Sequence, residues 1–173
     1  MDRRSPDLTA AMRIRDPFGI ALVILAIAVS SIAGAFLFEA LGYAPCELCL
    51  KERIPYYAAI PFAGLAVLFA ARGPRSLLHA ALCILALIFA ASAIFGAYHA
   101  GVEWGFWPGP LECSGPLDRA RSVEDFLRQL QSVKVTRCDA PALRILGLSL
   151  AGWNAVVSAG LAALAVAGAR SRG

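Results

Sequence analysis

The chain has 173 residues, 59% of them hydrophobic and only 16% charged, with a formal net charge of +4. A soluble domain of this size needs far more polar surface, so the composition excludes an ordinary water-soluble fold and points to a lipid bilayer. The basic residues form no patch of the kind that binds nucleic acid.

Crossing ~30 Å of hydrocarbon takes roughly 20 apolar residues at ~1.5 Å each. Four stretches qualify: 18–38, which is free of charge, then about 54–71, 77–98 and 145–169. They predict an all-α membrane protein, a four-transmembrane-helix bundle forming one integral-membrane domain over 1–173, with loops at 39–53 and 99–144. Within the first span, Ala33-Gly34-Ala35 imitates a signal-peptidase site. A secretory apolar region is only about 7–15 residues long, and this run is longer, so the span is expected to stay uncleaved. Small residues four apart (Ala26, Ser30 and Gly34 in the first span; Ala155, Ala159, Ala163 and Ala167 in the fourth) predict close helix contacts in lipid. Pro61 is expected to loosen the second span. Asn154 is expected to bond between helices, and Glu39 to sit solvated at the interface.

Orientation rests on charge density, because the basic residues divide equally between the two sides. Arg3, Arg4, Arg13, Arg15, Arg72, Arg75, Arg170 and Arg172 lie in short tails and one tight turn, whereas most of the opposing cations lie in a long loop rich in acids. Both termini are therefore expected to be cytoplasmic. The loops carrying Cys46, Cys49, Cys113 and Cys138 then face the opposite compartment, which is oxidising in bacteria and permits disulfides. Cys83 lies inside the third span and reads as a buried, inert thiol.

In the first loop, Cys46-Glu47-Leu48-Cys49 opens a helix, where the N-terminus and the nearby Lys51 and Arg53 favour thiolate. Arg53, four residues after Cys49, lies one turn deeper on the same face. A membrane-boundary arginine needs a partner, and an anionic or electron-rich headgroup is one. The same residues fit a structural disulfide beside a snorkelling arginine. Zinc is disfavoured, since Cys113 and Cys138 are separated by 24 residues and neither His79 nor His99 has finger-like spacing to the cysteines; no metal is expected.

In the long loop, Trp104 and Trp107 read as headgroup-level anchors. His99, at the membrane face, suits either hydrogen bonding to a quinone carbonyl and proton shuttling or plain interface packing. From Ser122, the spacing of Val123, Phe126, Leu127, Leu130 and Val133 predicts a short amphipathic helix that rests on the membrane or docks a soluble partner.

These residues together resemble the DsbB family of bacterial disulfide-bond formation proteins. The resemblance spans most of the chain. It rests on four spans, C-x-L-C with Arg53 four residues on, the second cysteine pair, Tyr98-His99, the Gly101–Trp104 segment and Leu146-Gly147-Leu148-Ser149-Leu150. Leu143 departs from it, where an aromatic is expected in close relatives. The resemblance implies a quinone-dependent thiol oxidase of the bacterial inner membrane that reoxidises a periplasmic DsbA-like dithiol protein. Cys113 would accept attack by that partner, and Cys138 would pass the electrons to Cys46. Cys49 would face the quinone (ubiquinone or menaquinone), with Arg53 stabilising charge and His99 at the quinone site. DsbA is a strong oxidant at about −120 mV, so its reoxidation requires an acceptor more oxidising still. A vitamin K epoxide reductase-type protein carries its quinone-side C-x-x-C near a later span, which argues against that reading. The competing reading from another class is a non-catalytic four-span structural protein stapled by two disulfides. A channel ranks last, for want of charge in the spans.

Overall fold

The structure is a computed structural model and describes residues 16–110, 122–124, 127 and 137–171. Four helices are long and apolar enough to cross a membrane: α1 (Pro17–Ala40), α2 (Glu47–Arg72), α3 (Arg75–Glu103) and α4 (Leu150–Arg170). The four-span all-α reading holds, with each helix running somewhat beyond its apolar run at one or both ends, except that α4 begins later. Most of the amphipathic segment from Ser122 to Val133, and Cys113, lie outside the described residues.

α1 begins with Pro17 in its first turn, where a missing N–H costs nothing. It ends in a Schellman turn: the Gly42 N–H donates to the Glu39 carbonyl and the Tyr43 N–H to the Phe38 carbonyl, with Gly42 at φ +94°. The Phe38 and Tyr43 rings close that turn edge-to-face at 5.9 Å. This sharp stop delivers the chain directly to Cys46, the N-cap of α2. α2 continues through both Pro55 and Pro61, so Pro61 does not end the helix. α3, at 29 residues, is about 43 Å long. Its last turns therefore reach past a ~30 Å hydrocarbon core or require tilt. Trp107 folds back over that end, stacking on Tyr98 and donating from Nε1 to the Tyr98 carbonyl at 3.0 Å.

The fourth helix does not start at 145. Residues Arg144–Ile145 (β1) and Leu148–Ser149 (β2) form a two-stranded antiparallel hairpin. Leu146 and Gly147 both have positive φ, the conformation a tight two-residue hairpin turn requires. Ser149 then caps α4, its Oγ accepting from the Gly152 N–H at 3.1 Å.

α3 packs most extensively on α4, and next on α2. α3 and α4 come into close contact at Gly96, where a Cβ would lie 2.9 Å from the Ala155 backbone nitrogen. The small-residue stripes expected to mediate packing are mostly not the ones used. Ala26, Ser30, Ala159, Ala163 and Ala167 face outward, while Ala59, Ala63 and Ala66 of α2 and Ala28 of α1 are fully buried. Lipid is as apolar as a neighbouring helix, so small residues on either face satisfy the same hydropathy. Cys83 likewise is exposed on the outer surface of α3, not buried, with Sγ 3.6 Å from His79 Nε2.

Candidate active site

The Cys46 Sγ accepts the Cys49 N–H at 3.3 Å, as an N-cap side chain does, and lies 3.0 Å from the Cys49 Sγ. Both are free thiols. Cys46 is buried, in a small cluster with Leu48, Val102 and Cys138, against which Cys49 and Phe95 pack. Cys138 is disulfide-bonded. The fold thus places a disulfide sulfur of the long loop in the same buried cluster as the first cysteine of the C-x-x-C pair.

His99 also packs against Cys46, 1% exposed, with Nε2 3.6 Å from the Cys46 sulfur. Its Nδ1 meets Glu52 Oε1 at 2.7 Å, and Glu52 is itself buried. A carboxylate on Nδ1 orients the ring and leaves Nε2 to face the thiols. The Cys46 thiol is held well below its ordinary value of 9.0. The Cys49 thiol, hydrogen-bonded to its sulfur, is the main cause; His99 and the Cys49 N–H add to it against the opposing effect of burial. Glu52 was not singled out in the sequence. Its signal was a carboxylate one residue before Arg53 on a membrane-entering helix, where an acid needs a partner.

On the far side of Cys49, a cavity of about 330 Å³ opens between α1, α2 and the start of α4. This is at the lower end of the roughly 300–1,000 Å³ typical of small-molecule sites. Cys49, Glu52, Arg53 and Tyr56 line it from α2, Phe38 from α1, and Trp153 from α4. Arg53 Nη1 donates to Glu39 Oε2 at 3.0 Å, and its guanidinium lies over the Phe36 ring at 5.3 Å. Glu39 is therefore an ion-pair partner rather than a simply solvated carboxylate. Deeper in, the Tyr56 hydroxyl donates to Asn154 Oδ1 at 2.8 Å, and Ser158 joins Tyr56 and Ser92 at 3.0 Å each. Asn154 bonds between helices, as expected.

Of the residues singled out in the sequence, Cys46, Cys49, Cys138, Arg53 and His99 converge on one end of the bundle. His99 reaches the dithiol but is absent from the cavity wall. The donor atoms of Cys46, Cys49 and His99 lie within 4.8 Å of one another, a proximity that linear spacing gave no sign of.

Four membrane-length helices with a dithiol at one end, between a loop disulfide and a cavity, define a multi-pass membrane protein built for thiol–disulfide exchange. The chain belongs to the DsbB family: the family model described as disulfide bond formation protein DsbB matches residues 17–168, nearly the whole described fold. It is also 28% identical over 140 residues to an uncharacterized protein of Rickettsia prowazekii (strain Madrid E), covering 79% of this chain and 78% of that protein. No solved structure matches the chain.

Proposed function

We propose that the protein is a protein-thiol:quinone oxidoreductase of the bacterial inner membrane, reoxidising a periplasmic DsbA-like dithiol protein and delivering its electrons to a membrane quinone. Both termini are cytoplasmic in this reading, and the cysteine loops periplasmic. One observation carries it: Cys138 and Cys46 share one buried cluster, the Cys46 sulfur lies 3.0 Å from that of Cys49, and Cys49 lines the cavity.

The residues present fit a quinone headgroup. The cavity has apolar and aromatic walls, a cation in Arg53 and a thiol in Cys49. When bound, a quinone supplies an acceptor for two electrons and two protons. The partner's thiolate attacks Cys113, forming a mixed disulfide and releasing Cys138. The partner's second thiol resolves that bond and leaves oxidised. With the Cys46–Cys49 pair in its disulfide form, Cys138 then attacks Cys46, and Cys49 leaves as a thiolate at the helix N-terminus, where backbone N–H groups favour the charge. Cys113 then attacks Cys138, restoring the Cys113–Cys138 disulfide and releasing Cys46 as a thiolate. Reoxidation of the resulting Cys46–Cys49 dithiol to its disulfide would give up two electrons, with the thiol protons, to an acceptor held in the cavity. Glu52 holds His99 with Nε2 toward Cys46, so that the imidazole can hold a proton as that sulfur changes between bonded and ionised states.

The test is quinone reduction by the detergent-solubilised protein mixed with a reduced DsbA-like protein, beside Cys49→Ser and Cys113→Ser. Turnover that vanishes in both variants supports the relay. No quinone reduction by intact protein with its thiols confirmed leaves the stapled structural bundle.

A further inference from the structure

We propose that Cys46, Cys49 and His99, in the dithiol state, form a binding site for a thiophilic d¹⁰ cation such as Zn²⁺, with Glu52 as the outer carboxylate that orients the histidine. The proposal goes beyond the oxidase reading and does not rest on whether the cavity takes a quinone.

The geometry points to this in several independent ways. Zinc sits ~2.3 Å from sulfur and ~2.0–2.1 Å from imidazole nitrogen, so tetrahedral ligation places S and N about 3.6 Å apart. The Cys46 Sγ and His99 Nε2 are 3.6 Å apart already. The same geometry needs about 3.8 Å between sulfurs. Cys49, now 3.0 Å from Cys46, has to withdraw by under an ångström while closing on His99, the kind of movement a χ1 adjustment supplies. Cys49 is only partly buried and borders the cavity, so that movement has room.

The outer shell is in place as well. Ligating histidines donate their second ring N–H to a carboxylate, and Glu52 Oε1 lies 2.7 Å from His99 Nδ1. The Cys49 N–H already points at the Cys46 sulfur, at 3.3 Å. The cavity bordering Cys49 leaves room for a fourth, exogenous ligand, as in sites with three protein ligands. Charge also favours the complex. Two thiolates, a neutral imidazole, the Glu52 carboxylate and a divalent cation sum to −1, against −3 for the same groups without the metal, which suits a buried position at a membrane boundary far better.

Binding forms two S–metal bonds and one N–metal bond and breaks whatever S–H bonds the pair still carries. The displaced thiol protons go to solvent, and no electron moves. The disulfide form has no thiolates to offer, so the site exists only when the pair is reduced. Metal capture therefore withholds the dithiol from oxidation and inhibits turnover reversibly.

The experiment titrates Co²⁺, then Zn²⁺, into full-length protein carrying Cys83→Ser, Cys113→Ser and Cys138→Ser, so that only the C-x-x-C pair can contribute sulfur. The reduced protein should bind one Co²⁺ with sulfur-to-cobalt charge-transfer absorption, release it to Zn²⁺, and bind none after oxidation of Cys46 and Cys49. Glu52→Gln should weaken affinity by roughly 10–100-fold, the usual effect of losing an outer-shell partner. His99→Ala should weaken it further, with His99→Asn as a second variant should the alanine protein fail to fold. No charge-transfer band in reduced protein with its thiols confirmed overturns the proposal; so does affinity unchanged in a folded histidine variant. Quinone reduction is assayed separately with chelator present, so failure of the oxidase reading and failure of the metal site give different results.

Discussion

Glu52 and His99, 47 residues apart in the chain, meet through a 2.7 Å hydrogen bond in which both side chains are buried. The pair ties the first turns of α2 to the last turns of α3 and holds the imidazole against Cys46. Glu52→Leu removes the acceptor and leaves a buried ring N–H without a partner, a loss of about 1–3 kcal/mol. Glu52→Gln keeps an acceptor and should lose less than half of that. Thermal unfolding in detergent, followed by loss of helical signal, checks the ranking; equal melting of both variants would show that the bond contributes nothing.

Cys46 gives a pH dependence with a defined sign. Its folded-state pKa lies below the ordinary 9.0, so the thiolate adds stability to the reduced protein. That contribution is full above pH 9.0, shrinks as pH falls below it, and is gone once pH passes the folded pKa. An ultraviolet thiolate titration of metal-free reduced protein should show one cysteine ionising well below 9.0. Cys49→Ala, which removes the side-chain donor, should raise that midpoint most, and His99→Ala next. A wild-type midpoint near 9.0 would refute the assignment.

Arg53 pairs with Glu39 while lining the cavity, with only 12% of its side chain exposed. Arg53→Met removes the cation from the wall and strands Glu39 at the membrane boundary. On the proposed quinone reading, the expected result is a rise in the KM for quinone of roughly tenfold, which is ~1.4 kcal/mol of lost binding. Glu39→Gln should shift KM less. Arg53→Lys should recover little, because an ammonium lacks the planar fork that spans Glu39 and the Ala35 carbonyl. Steady-state kinetics over a quinone series decides it.

Gly96 sets how closely α3 approaches α4. Gly96→Val puts a branched side chain where a Cβ alone would be 2.9 Å from the Ala155 backbone, forcing the helices apart at a cost of about 1–3 kcal/mol. Gly34→Ala, with open space around its Cβ position, is the control and should be neutral or slightly stabilising. A Gly96→Val protein that melts with wild type would show that the helices adjust freely there.

Much of this protein was legible from its residues in order. Long apolar runs make spans because no other conformation satisfies backbone polar groups in hydrocarbon, so four helices followed from length alone. Cys46 and Cys49 sit at the start of α2 because Cys46 caps that helix, a purely local feature. Arg53 follows on the same face by helical period. Tertiary structure decided what lies opposite those residues. Nothing in the order of residues pairs Glu52 with His99 or Arg53 with Glu39, since each partner lies on another helix and either acid has a solvated alternative. Nor could hydropathy say that Cys83 faces outward or that Ala59, Ala63 and Ala66 form the packed stripe. In water, burial writes itself into a sequence as apolar against polar. In a bilayer both faces of a helix are apolar, and only the packing of one helix on the next tells them apart.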